Sequence, residues 1–417
     1  MFKAPIGMKD ILPEELFAWQ EVEKQARITF SLFGYSPIST PILENLKLFN
    51  RSLGNETEIV KKQMFVVKRE DEDYCLRPEG TAAIVRAYLE NNLDKTTGFA
   101  KLYYIGPMFR AERPQKGRLR QFHHIGVEAL GSNSPYLDSE IIILAVSILK
   151  NLKVEGFQLK INSLGCLKDK EKLSLVLREK LKDKSRNLCE DCQERLNRNV
   201  FRVLDCKNNS CKEVVSGLNL AYNDYLCKDC QEHFENVKEN LNSLNISYEC
   251  VITLVRGLDY YSRTVFEITH SSLGAQDAIG AGGRYDHLIH ELGGPESGAA
   301  GFALGVERLL LVSKYQPVAS FLDTFIITLG KEAKKNGFVL LNNLRANAIS
   351  ADMDFEDKSL KSQMRKANDS KAKFCAIIGE YELKKQVVTL KNMQDGKQEE
   401  IPLANFIEEI KKRINSY

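Results

Sequence analysis

The stretch that decides the fold is a glycine-rich passage at residues 298–311, Gly-Ala-Ala-Gly-Phe-Ala-Leu-Gly-Val-Glu-Arg-Leu-Leu-Leu. Its small and apolar first half predicts a strand, and the run of good helix formers after Gly305 predicts a helix. Arg308 lies in this helix among glycine and leucine, where a guanidinium group is costly to bury without an anionic partner. The passage therefore predicts a strand-to-helix junction that faces an anion.

A hairpin is predicted upstream of this junction. Residues 102–105 (Leu-Tyr-Tyr-Ile) and 121–128 (Gln-Phe-His-His-Ile-Gly-Val-Glu) have the aromatic and β-branched composition of strands. Between them, residues 113–118 form a basic loop that contains proline and glycine. Arg110 ends the first strand and Glu112 follows it, so the hairpin supplies a second arginine and a carboxylate.

Further strand and helix signals divide the chain into four segments. We predict a helix opened by Pro13, an irregular strand over residues 38–43 and a strand over residues 261–269. Residues 280–283 (Gly-Ala-Gly-Gly) are expected between two strands and lack the spacing of a nucleotide-binding loop. The predicted segments are a core at 1–165 and 251–318, a Lys-, Glu- and Cys-rich helical insertion at 166–250, and a small α/β domain at 321–417.

Composition is that of a soluble globular protein with two or three domains. The 417 residues are 43% hydrophobic and 28% charged, with a net charge of +3. No signal peptide is recognised, and the longest apolar run, residues 141–149, is far shorter than the roughly 20 residues that cross a bilayer. The small net charge argues against a broad nucleic-acid surface but allows a local one.

Three arginines from distant parts of the chain suit a polyphosphate ligand. Arg110, Arg256 and Arg308 lie in apolar, glycine-rich or strand-end surroundings. Guanidinium groups bind phosphate oxygens in pairs, and several of them would neutralise the charge that builds up during an in-line displacement. For each arginine alone, a structural ion pair is the competing interpretation.

Residues 77–81 (Arg-Pro-Glu-Gly-Thr) predict a turn followed by a helix. Thr81 is a suitable cap for that helix, and Glu79 would be able to hold an ammonium group. Tyr260 and Tyr261 are adjacent, and one of them would face a pocket, where tyrosine hydroxyls orient small polar ligands well. Packing in the core is the alternative for both tyrosines.

Together these segments resemble the histidyl-tRNA synthetases, a family of class II aminoacyl-tRNA synthetases. Pro41 stands where the first class II motif has its dimer-interface proline, residues 109–112 (Phe-Arg-Ala-Glu) match the second motif, and residues 301–308 match the third. Residues 254–261 (Leu-Val-Arg-Gly-Leu-Asp-Tyr-Tyr) and 281–286 (Ala-Gly-Gly-Arg-Tyr-Asp) resemble signatures of the histidine enzymes themselves. The resemblance begins at residue 4 and covers nearly the whole chain.

The resemblance implies an α+β fold, with a class II antiparallel sheet and flanking helices, an inserted helical domain and a C-terminal α/β anticodon-binding domain. It implies ATP-dependent activation of L-histidine to histidyl-adenylate and transfer to the 3′ end of tRNA(His), with release of AMP and pyrophosphate. It further implies ATP as a substrate with Mg²⁺, a cytoplasmic homodimer, and no membrane partner.

Roles for individual residues follow from the same resemblance. Arg110 and Arg256 would be catalytic, Arg110 on the α-phosphate and the histidine carboxylate, and Arg256 as the cation beside the α-phosphate. Glu112 would contact the adenine amino group, Arg308 the γ-phosphate, and the adenine would lie between Arg308 and Phe122. The residues implied to bind histidine are Glu79, Thr81, Arg110, His124, Glu128, Arg256, Tyr260, Tyr261 and Tyr285.

The chain departs from the family pattern at His124, where the family usually has glutamine. Histidine changes charge near neutral pH. If His124 lines the pocket, its protonation would repel the substrate ammonium, and we expect weaker activity below about pH 6. Alternatively, the ring points to a neighbour and the pocket is otherwise normal.

Ten cysteines occur without an export signal, which favours free thiols over disulfides. Six lie between Cys189 and Cys230, including two C-x-x-C pairs at 189–192 and 227–230, with Cys206 and Cys211 between them. Two such pairs can form a tetrahedral zinc site, but their separation is long for a zinc ribbon. We favour buried or free thiols without a metal, and zinc is the alternative.

Two other functions are to be distinguished. A synthetase-like regulatory subunit for the first enzyme of histidine biosynthesis would be expected to lose the histidine signatures and the anticodon domain, and a tRNA-binding module with an inactive catalytic domain would not need the motif arginines. Five lysines of the C-terminal domain are candidate contacts to the tRNA backbone, namely Lys331, Lys334, Lys335, Lys371 and Lys373. The alternative is that they belong to a solvated face.

Overall fold

The structure is a computed structural model that describes residues 2–54, 57–115, 117–274, 276–314 and 322–415. The chain divides into two compact units, Met1–Gln316 and Pro317–Tyr417. The predicted domain boundary between residues 318 and 321 lies outside the described residues.

The first unit contains eleven strands among its described residues. They are β1 (Ser36–Pro37), β2 (Leu43–Asn45), β3 (Phe65–Lys68), β4 (Asp73–Leu76), β5 (Ala100–Phe109), β6 (Gln121–Leu130), β7 (Gln158–Ser163), β8 (Glu249–Cys250), β9 (Ser262–Thr269), β10 (Ala278–Arg284) and β11 (Ala299–Gly305). Its helices are α1 (Pro13–Leu32), α2 (Leu46–Leu53), α3 (Thr81–Glu90), α4 (Leu93–Thr96), α5 (Pro135–Asn151), α6 (Leu167–Lys182), α7 (Glu190–Arg198), α8 (Phe201–Leu204), α9 (Asn209–Ser216), α10 (Lys228–Ser243), α11 (Leu288–Glu291) and α12 (Val306–Val312).

An eight-stranded sheet forms the centre of this unit, in the order β1-β5-β6-β11-β10-β9-β7-β8. The middle strands from β5 to β7 pair antiparallel, and only the short edge strands β1 and β8 pair parallel to their neighbours. The predicted hairpin is confirmed, because β5 and β6 pair from Ala100↔Leu130 to Phe109↔Gln121. The predicted strand-to-helix junction is confirmed by β11 and α12.

Two of the strand predictions were wrong. Residues 38–42 form no strand but a link between β1 and β2, since Pro41 has no N–H to donate to a ladder. The glycines at 280–283 lie inside β10 and not between strands. Glycine is needed there because a β-carbon at Gly282 would lie 2.3 Å from the carbonyl oxygen of Gly301 in the neighbouring strand.

One face of the sheet packs against α1 and α5. Helix α5 begins at Pro135, and the Ser134 side chain caps it by accepting a hydrogen bond from the N–H of Tyr136. Its buried Ile142 packs in one core with Phe30 of α1 and Phe266 of β9, and each such side chain contributes about 1.5–3 kcal/mol by leaving water. Because side chains alternate along β6, Ile125 and Val127 enter this core while His124 and Glu128 lie on the opposite face.

The stretch predicted as a helical insertion consists of α6 to α10 and the edge strand β8. It has a small core of its own, in which Leu173, Leu177 and Leu181 from one face of α6 pack with buried cysteines and Tyr225. None of the helices that the structure describes combines the length and the apolar character that spanning a bilayer requires.

The second unit is a separate α/β domain, as predicted. Its strands are β12 (Leu322–Thr328), β13 (Ala351–Met353), β14 (Ala372–Ile378), β15 (Val387–Asn392) and β16 (Gln398–Pro402), and its helices are α13 (Lys331–Ala346), α14 (Leu360–Asp369), α15 (Glu380–Lys385) and α16 (Phe406–Asn415). The sheet order is β13-β12-β14-β15-β16, with β12 parallel to both its neighbours. The helix predicted near residues 338–346 begins earlier, at Lys331.

Candidate active site

A cavity of about 990 Å³ in the first unit is lined by residues of β5, β6, β9, β10 and β11. Eleven of the twelve predicted site residues line it, namely Glu79, Thr81, Arg110, Glu112, Phe122, His124, Arg256, Tyr260, Tyr261, Tyr285 and Arg308. The three arginines predicted to converge therefore share one cavity, although they come from three distant stretches of chain.

Backbone carbonyls fix two of these arginines in place. Arg110 donates from Nε to the carbonyl oxygen of Pro78 at 2.9 Å. Arg308 donates from Nε to Gly117 at 3.1 Å and from Nη1 to Gln276 at 2.7 Å and Ala278 at 2.5 Å. Guanidinium groups held in this way need little reorganisation when an anion arrives, so the wall of the cavity is preorganised for phosphate.

The third arginine, Arg256, forms an ion pair from Nη1 to Glu267 of β9. Its Nε is buried and has no hydrogen-bond partner among the described residues. A structural ion pair was the competing interpretation for this arginine, and the pair does exist. Because both side chains line the cavity, the ion pair fixes the Arg256 guanidinium group in the cavity wall.

The residues predicted to contact adenine also meet in the cavity. Glu112 forms an ion pair with Arg118 from the basic loop. The guanidinium carbon of Arg110 lies 5.2 Å from the centre of the Phe122 ring, within the range of a cation–π contact. Phe122 thus presents an aromatic ring to the cavity, and the charged side chains around it already have partners within the protein.

A carboxylate, and not Thr81, caps helix α3. Glu79 accepts hydrogen bonds from the N–H of Thr81 at 2.6 Å and of Ala82 at 2.9 Å, and the N-cap position itself is Gly80. The predicted capping role of Thr81 was therefore wrong, because its hydroxyl donates instead to Glu128 Oε1 at 2.7 Å. Burial raises the pKa of Glu79 even though the helix N–H groups favour its charged form.

Glu128 is the one predicted site residue that does not line the cavity. It lies directly behind the wall, where its carboxylate accepts hydrogen bonds from the hydroxyls of Thr81 and Tyr285. Burial raises its pKa to about 8, and the nearby Glu79 contributes to the rise. Glu128 therefore orients two wall hydroxyls, and its raised pKa favours the protonated form as long as no cation lies beside it.

Three tyrosines form the end of the cavity beside Glu128. The ring centre of Tyr260 lies 4.7 Å from that of Tyr261 and 5.6 Å from that of Tyr285. All three are buried, and burial raises the pKa of each hydroxyl, so they remain neutral donors at physiological pH. This end of the cavity is aromatic and rich in hydroxyls, which suits a small ring that carries both donors and acceptors.

His124 lines the cavity, but the expectation that it titrates near neutral pH was wrong. Burial, together with the positive charges of Arg110, Arg77 and His123, lowers its pKa to about 3. Its Nδ1 is buried without a hydrogen-bond partner among the described residues. His124 is thus a neutral side chain in the cavity wall, with one ring nitrogen that lacks a partner among the described residues.

Several residues at the site were not identified from the sequence. Glu267 holds Arg256, Arg118 holds Glu112, and Glu307 accepts the N–H of His123 at 3.0 Å. Glu267 was visible as the one acidic residue in the strand predicted at 261–269. Arg118 was recognised only as part of the basic loop, and the contact of Glu307 gave no signal because His123 is far from it in sequence.

Two of the five candidate lysines in the second unit are engaged within that unit. Lys334 pairs with Asp357 at 2.8 Å, and Lys373 pairs with Asp323 at 2.9 Å. Contact of any of the five with tRNA stays a prediction.

Comparisons with known proteins show which proteins this chain is similar to. Residues 7–309 match a family model described as histidyl-tRNA synthetase, and residues 323–413 match one described as an anticodon binding domain. The chain is 44% identical over 414 residues to a histidine–tRNA ligase of Natranaerobius thermophilus (98% of both chains) and 45% identical over 417 residues to that of Halothermothrix orenii (99% of both). A crystal structure of the apo S. aureus histidyl-tRNA synthetase superimposes with a TM-score of 0.81 at 34% identity, covering 99% of this chain and 100% of that one.

Proposed function

This chain belongs to the histidyl-tRNA synthetase family, and we infer that it activates L-histidine with ATP and transfers the histidyl group to tRNA(His). The observation that carries this inference is the meeting of Arg110, Arg256 and Arg308 in one cavity whose other end is built from tyrosines and buried carboxylates. A polyphosphate fits the first end, and a small aromatic amino acid with a polar ring fits the second.

Adenylation needs stabilisation of charge more than a general base. A carboxylate oxygen of histidine attacks the α-phosphorus of ATP, the bond to the bridging oxygen breaks, and pyrophosphate leaves. The attacking carboxylate is already ionised at neutral pH. Arg256 and Arg110 neutralise the charge that develops at the α-phosphorus, and Arg308 holds the outgoing phosphates in line.

Selection of histidine is assigned to the hydroxyl-rich end of the cavity. Tyr261 and Tyr285 contact the imidazole, and His124 offers its unsatisfied Nδ1. Glu79 and Thr81 receive the ammonium group, and Glu128 supplies negative charge from behind once it has lost its proton. A site built from hydrogen-bonding groups rejects amino acids that lack them much more strongly than an apolar pocket does.

The nucleotide enters as its Mg²⁺ complex. Of the carboxylates that line the cavity, Glu112 and Glu267 are already held by arginines. Magnesium in phosphoryl-transfer sites is usually bound by one or two carboxylates together with the substrate phosphates. We therefore treat Mg²⁺ as part of the ATP substrate and assign it no resident site.

Assembly as a cytoplasmic homodimer is part of the same proposal. Pro41 precedes the small sheet β2-β4-β3, which exposes the apolar side chains Leu43, Val66 and Val67. Exposed apolar side chains grouped on one sheet are typical of an interface. Sedimentation velocity would test this, and a monomer at all concentrations up to about 100 µM would contradict it.

The second unit is proposed to bind the anticodon of tRNA(His), and the aminoacyl group passes to a terminal ribose hydroxyl of the tRNA with release of AMP. Its match to an anticodon-binding model supports this assignment.

Pyrophosphate exchange into ATP tests the first step directly. We expect exchange that requires histidine and is not supported by other amino acids, and aminoacylation of tRNA(His) by the same preparation. A regulatory subunit or an inactive tRNA-binding module would show no histidine-dependent exchange. Either outcome separates the proposal from its two alternatives.

A further inference from the structure

Seven of the ten cysteines fall into two compact groups, and this grouping differs from the single site that the two C-x-x-C pairs suggested. Cys189, Cys192, Cys206 and Cys211 form one, here called the four-cysteine group. Cys166, Cys227 and Cys230 form the other with Asp169, here called the three-cysteine group. Within each group the candidate ligand atoms all lie within 4.8 Å of one another. The two C-x-x-C pairs therefore belong to different groups.

From this geometry we propose that the helical insertion binds two structural zinc ions, one in each group. The four-cysteine group supplies four thiolates, and the three-cysteine group supplies three thiolates and the Asp169 carboxylate. The four-thiolate set matches the closed tetrahedral sites in which zinc has a structural role, and the second set replaces one thiolate by a carboxylate, which zinc also binds. Thiolate-rich sets select zinc over the oxygen-seeking cations magnesium and calcium.

Distances in the four-cysteine group fit this assignment. The sulfur atoms of Cys189 and Cys206 are 3.8 Å apart. Four sulfurs placed about 2.3 Å from a central zinc ion are about 3.8 Å apart, whereas a disulfide bond is about 2.0 Å long. The N–H of Cys189 also donates to Cys211 Sγ at 3.2 Å, as backbone groups often do to metal-bound thiolates.

The three-cysteine group is built around Asp169. Its Oδ1 accepts from the N–H of Cys227 at 3.0 Å, and its Oδ2 accepts from the N–H of Cys166 at 3.2 Å. Asp169 is only 3% exposed. Gly165 makes this possible, because it has φ of +71° and a β-carbon there would lie 2.3 Å from that of Asp169. A buried carboxylate that already joins two cysteine backbones is well placed as a fourth ligand.

Cysteines elsewhere in the chain show what single buried thiols look like. Cys75 and Cys375 are each buried alone in a strand, and Cys375 Sγ donates to the thioether of Met393 at 3.2 Å. Core cysteines of this kind behave as small apolar residues. Four thiols packed together stabilise the core little more than Ala or Val side chains would. A metal ion, in contrast, would bind all four of them as ligands.

Both groups lie beside the segment that carries the tyrosines of the cavity. Asn199, between Cys192 and Cys206, donates to Asp259 Oδ1 at 3.2 Å. Lys170, one turn after Cys166, donates from Nζ to the carbonyl oxygens of Asp259 and Tyr261, each at 2.9 Å. Zinc at the two groups would thus brace residues 259–261 from two sides. The zinc assignment itself does not depend on the proposed function.

Metal analysis of the full chain tests the proposal. The protein is purified under reducing conditions without chelator and dialysed against metal-free buffer, and zinc is then measured by mass spectrometry and by X-ray absorption. We expect two zinc ions per chain and a first shell dominated by sulfur at about 2.3 Å. One ion or none, iron in place of zinc, or a shell of nitrogen and oxygen would overturn it.

Single substitutions assign the sites. Cys206→Ser should retain one zinc with three sulfur neighbours and one oxygen, and Cys227→Ser should retain one zinc with four sulfur neighbours. Cys250→Ser, at an exposed cysteine outside both groups, should retain two zinc ions. If either group variant still held two, the ligand assignment would be wrong. Where a group variant does not fold, stoichiometric Co²⁺ reloading of the wild-type chain decides. Two equivalents with a thiolate charge-transfer band support the proposal, and fewer overturn it.

Discussion

Gly301 lies directly opposite Glu128 across β11 and β6, and a β-carbon at Gly301 would lie 2.0 Å from Glu128 Oε2. The glycine of the third motif therefore exists to leave room for a carboxylate of the hairpin. Through Glu128, the same glycine fixes the positions of the Thr81 and Tyr285 hydroxyls at the cavity.

Replacing Gly301 by alanine should displace Glu128. Because overpacking a buried site costs about 1–3 kcal/mol, we expect a lower free energy of unfolding and a KM for histidine raised by about tenfold or more, with a smaller change in the KM for ATP. Urea unfolding and pyrophosphate exchange measure the two effects. Gly217→Ala is the control, since its new β-carbon would have no neighbour closer than 3.7 Å. Equal changes in both KM values would contradict the role of Glu128.

Histidine binding should release a proton from Glu128. The carboxyl group has a pKa of about 8 in the free protein, so it is mostly protonated at pH 7. A cationic substrate favours the ionised form, and binding then lowers this pKa. The affinity for histidine should therefore rise between pH 7 and pH 8 and level off above pH 8.

Calorimetry in buffers of different ionisation enthalpy counts the released protons. Glu128→Gln should release nearly one proton fewer at pH 7 than the wild type, and its affinity should vary less with pH. The difference between the two proteins removes the substrate's own titration. Identical proton release in both would mean that Glu128 is not the group involved.

His124 should not set the acid limit of activity. Its pKa lies at about 3, because burial and the charges of Arg110, Arg77 and His123 disfavour the imidazolium form. A group whose pKa is depressed in this way stays neutral through the whole range from pH 5 to pH 8. We expect wild type and His124→Gln to lose exchange activity along parallel curves as the pH falls. A loss of activity near pH 6 in the wild type that is absent in His124→Gln would show that the ring becomes charged in the working enzyme.

Removing Arg256 should impair chemistry more than binding. Loss of one preorganised charge at the reacting phosphate typically lowers kcat by about 10² to 10³. We expect a fall of that size for Arg256→Ala in pyrophosphate exchange, with a smaller change in KM. Arg256→Lys should recover only part of it, since an ammonium group cannot bind Glu267 and a phosphate in the same plane. Arg27→Ala on α1 serves as the control, because this arginine pairs with Glu23 on the surface.

Affinity for tRNA(His) should depend on salt through lysines of the second unit. If Lys331 and Lys335 contact phosphates, replacing both by alanine should lower the slope of log K against log salt by about two. Filter binding between 50 and 300 mM KCl measures the slope. Lys24→Ala on α1, which removes one charge from the first unit, should leave it unchanged. Binding that does not respond to salt would remove these lysines from the interface.

The sequence by itself determined the main secondary-structure elements and the kinds of functional groups at the site. The hairpin, the strand-to-helix junction and the separate α/β domain were all visible, because strand and helix patterns are local. The convergence of Arg110, Arg256 and Arg308 was also inferred from the sequence. An arginine among apolar residues indicates an anionic partner, and this signal does not depend on the position of the residue in the chain.

Only the tertiary structure decided the electrostatic state of the site and the grouping of the cysteines. Burial, reinforced by Arg110 and Arg77, lowers the pKa of His124, and removal from water by the sheet raises the pKa of Glu128. Cys166 and Asp169 join Cys227 and Cys230 across about sixty residues of chain. Burial and neighbours set these properties, and both depend on contacts between residues that are far apart in sequence.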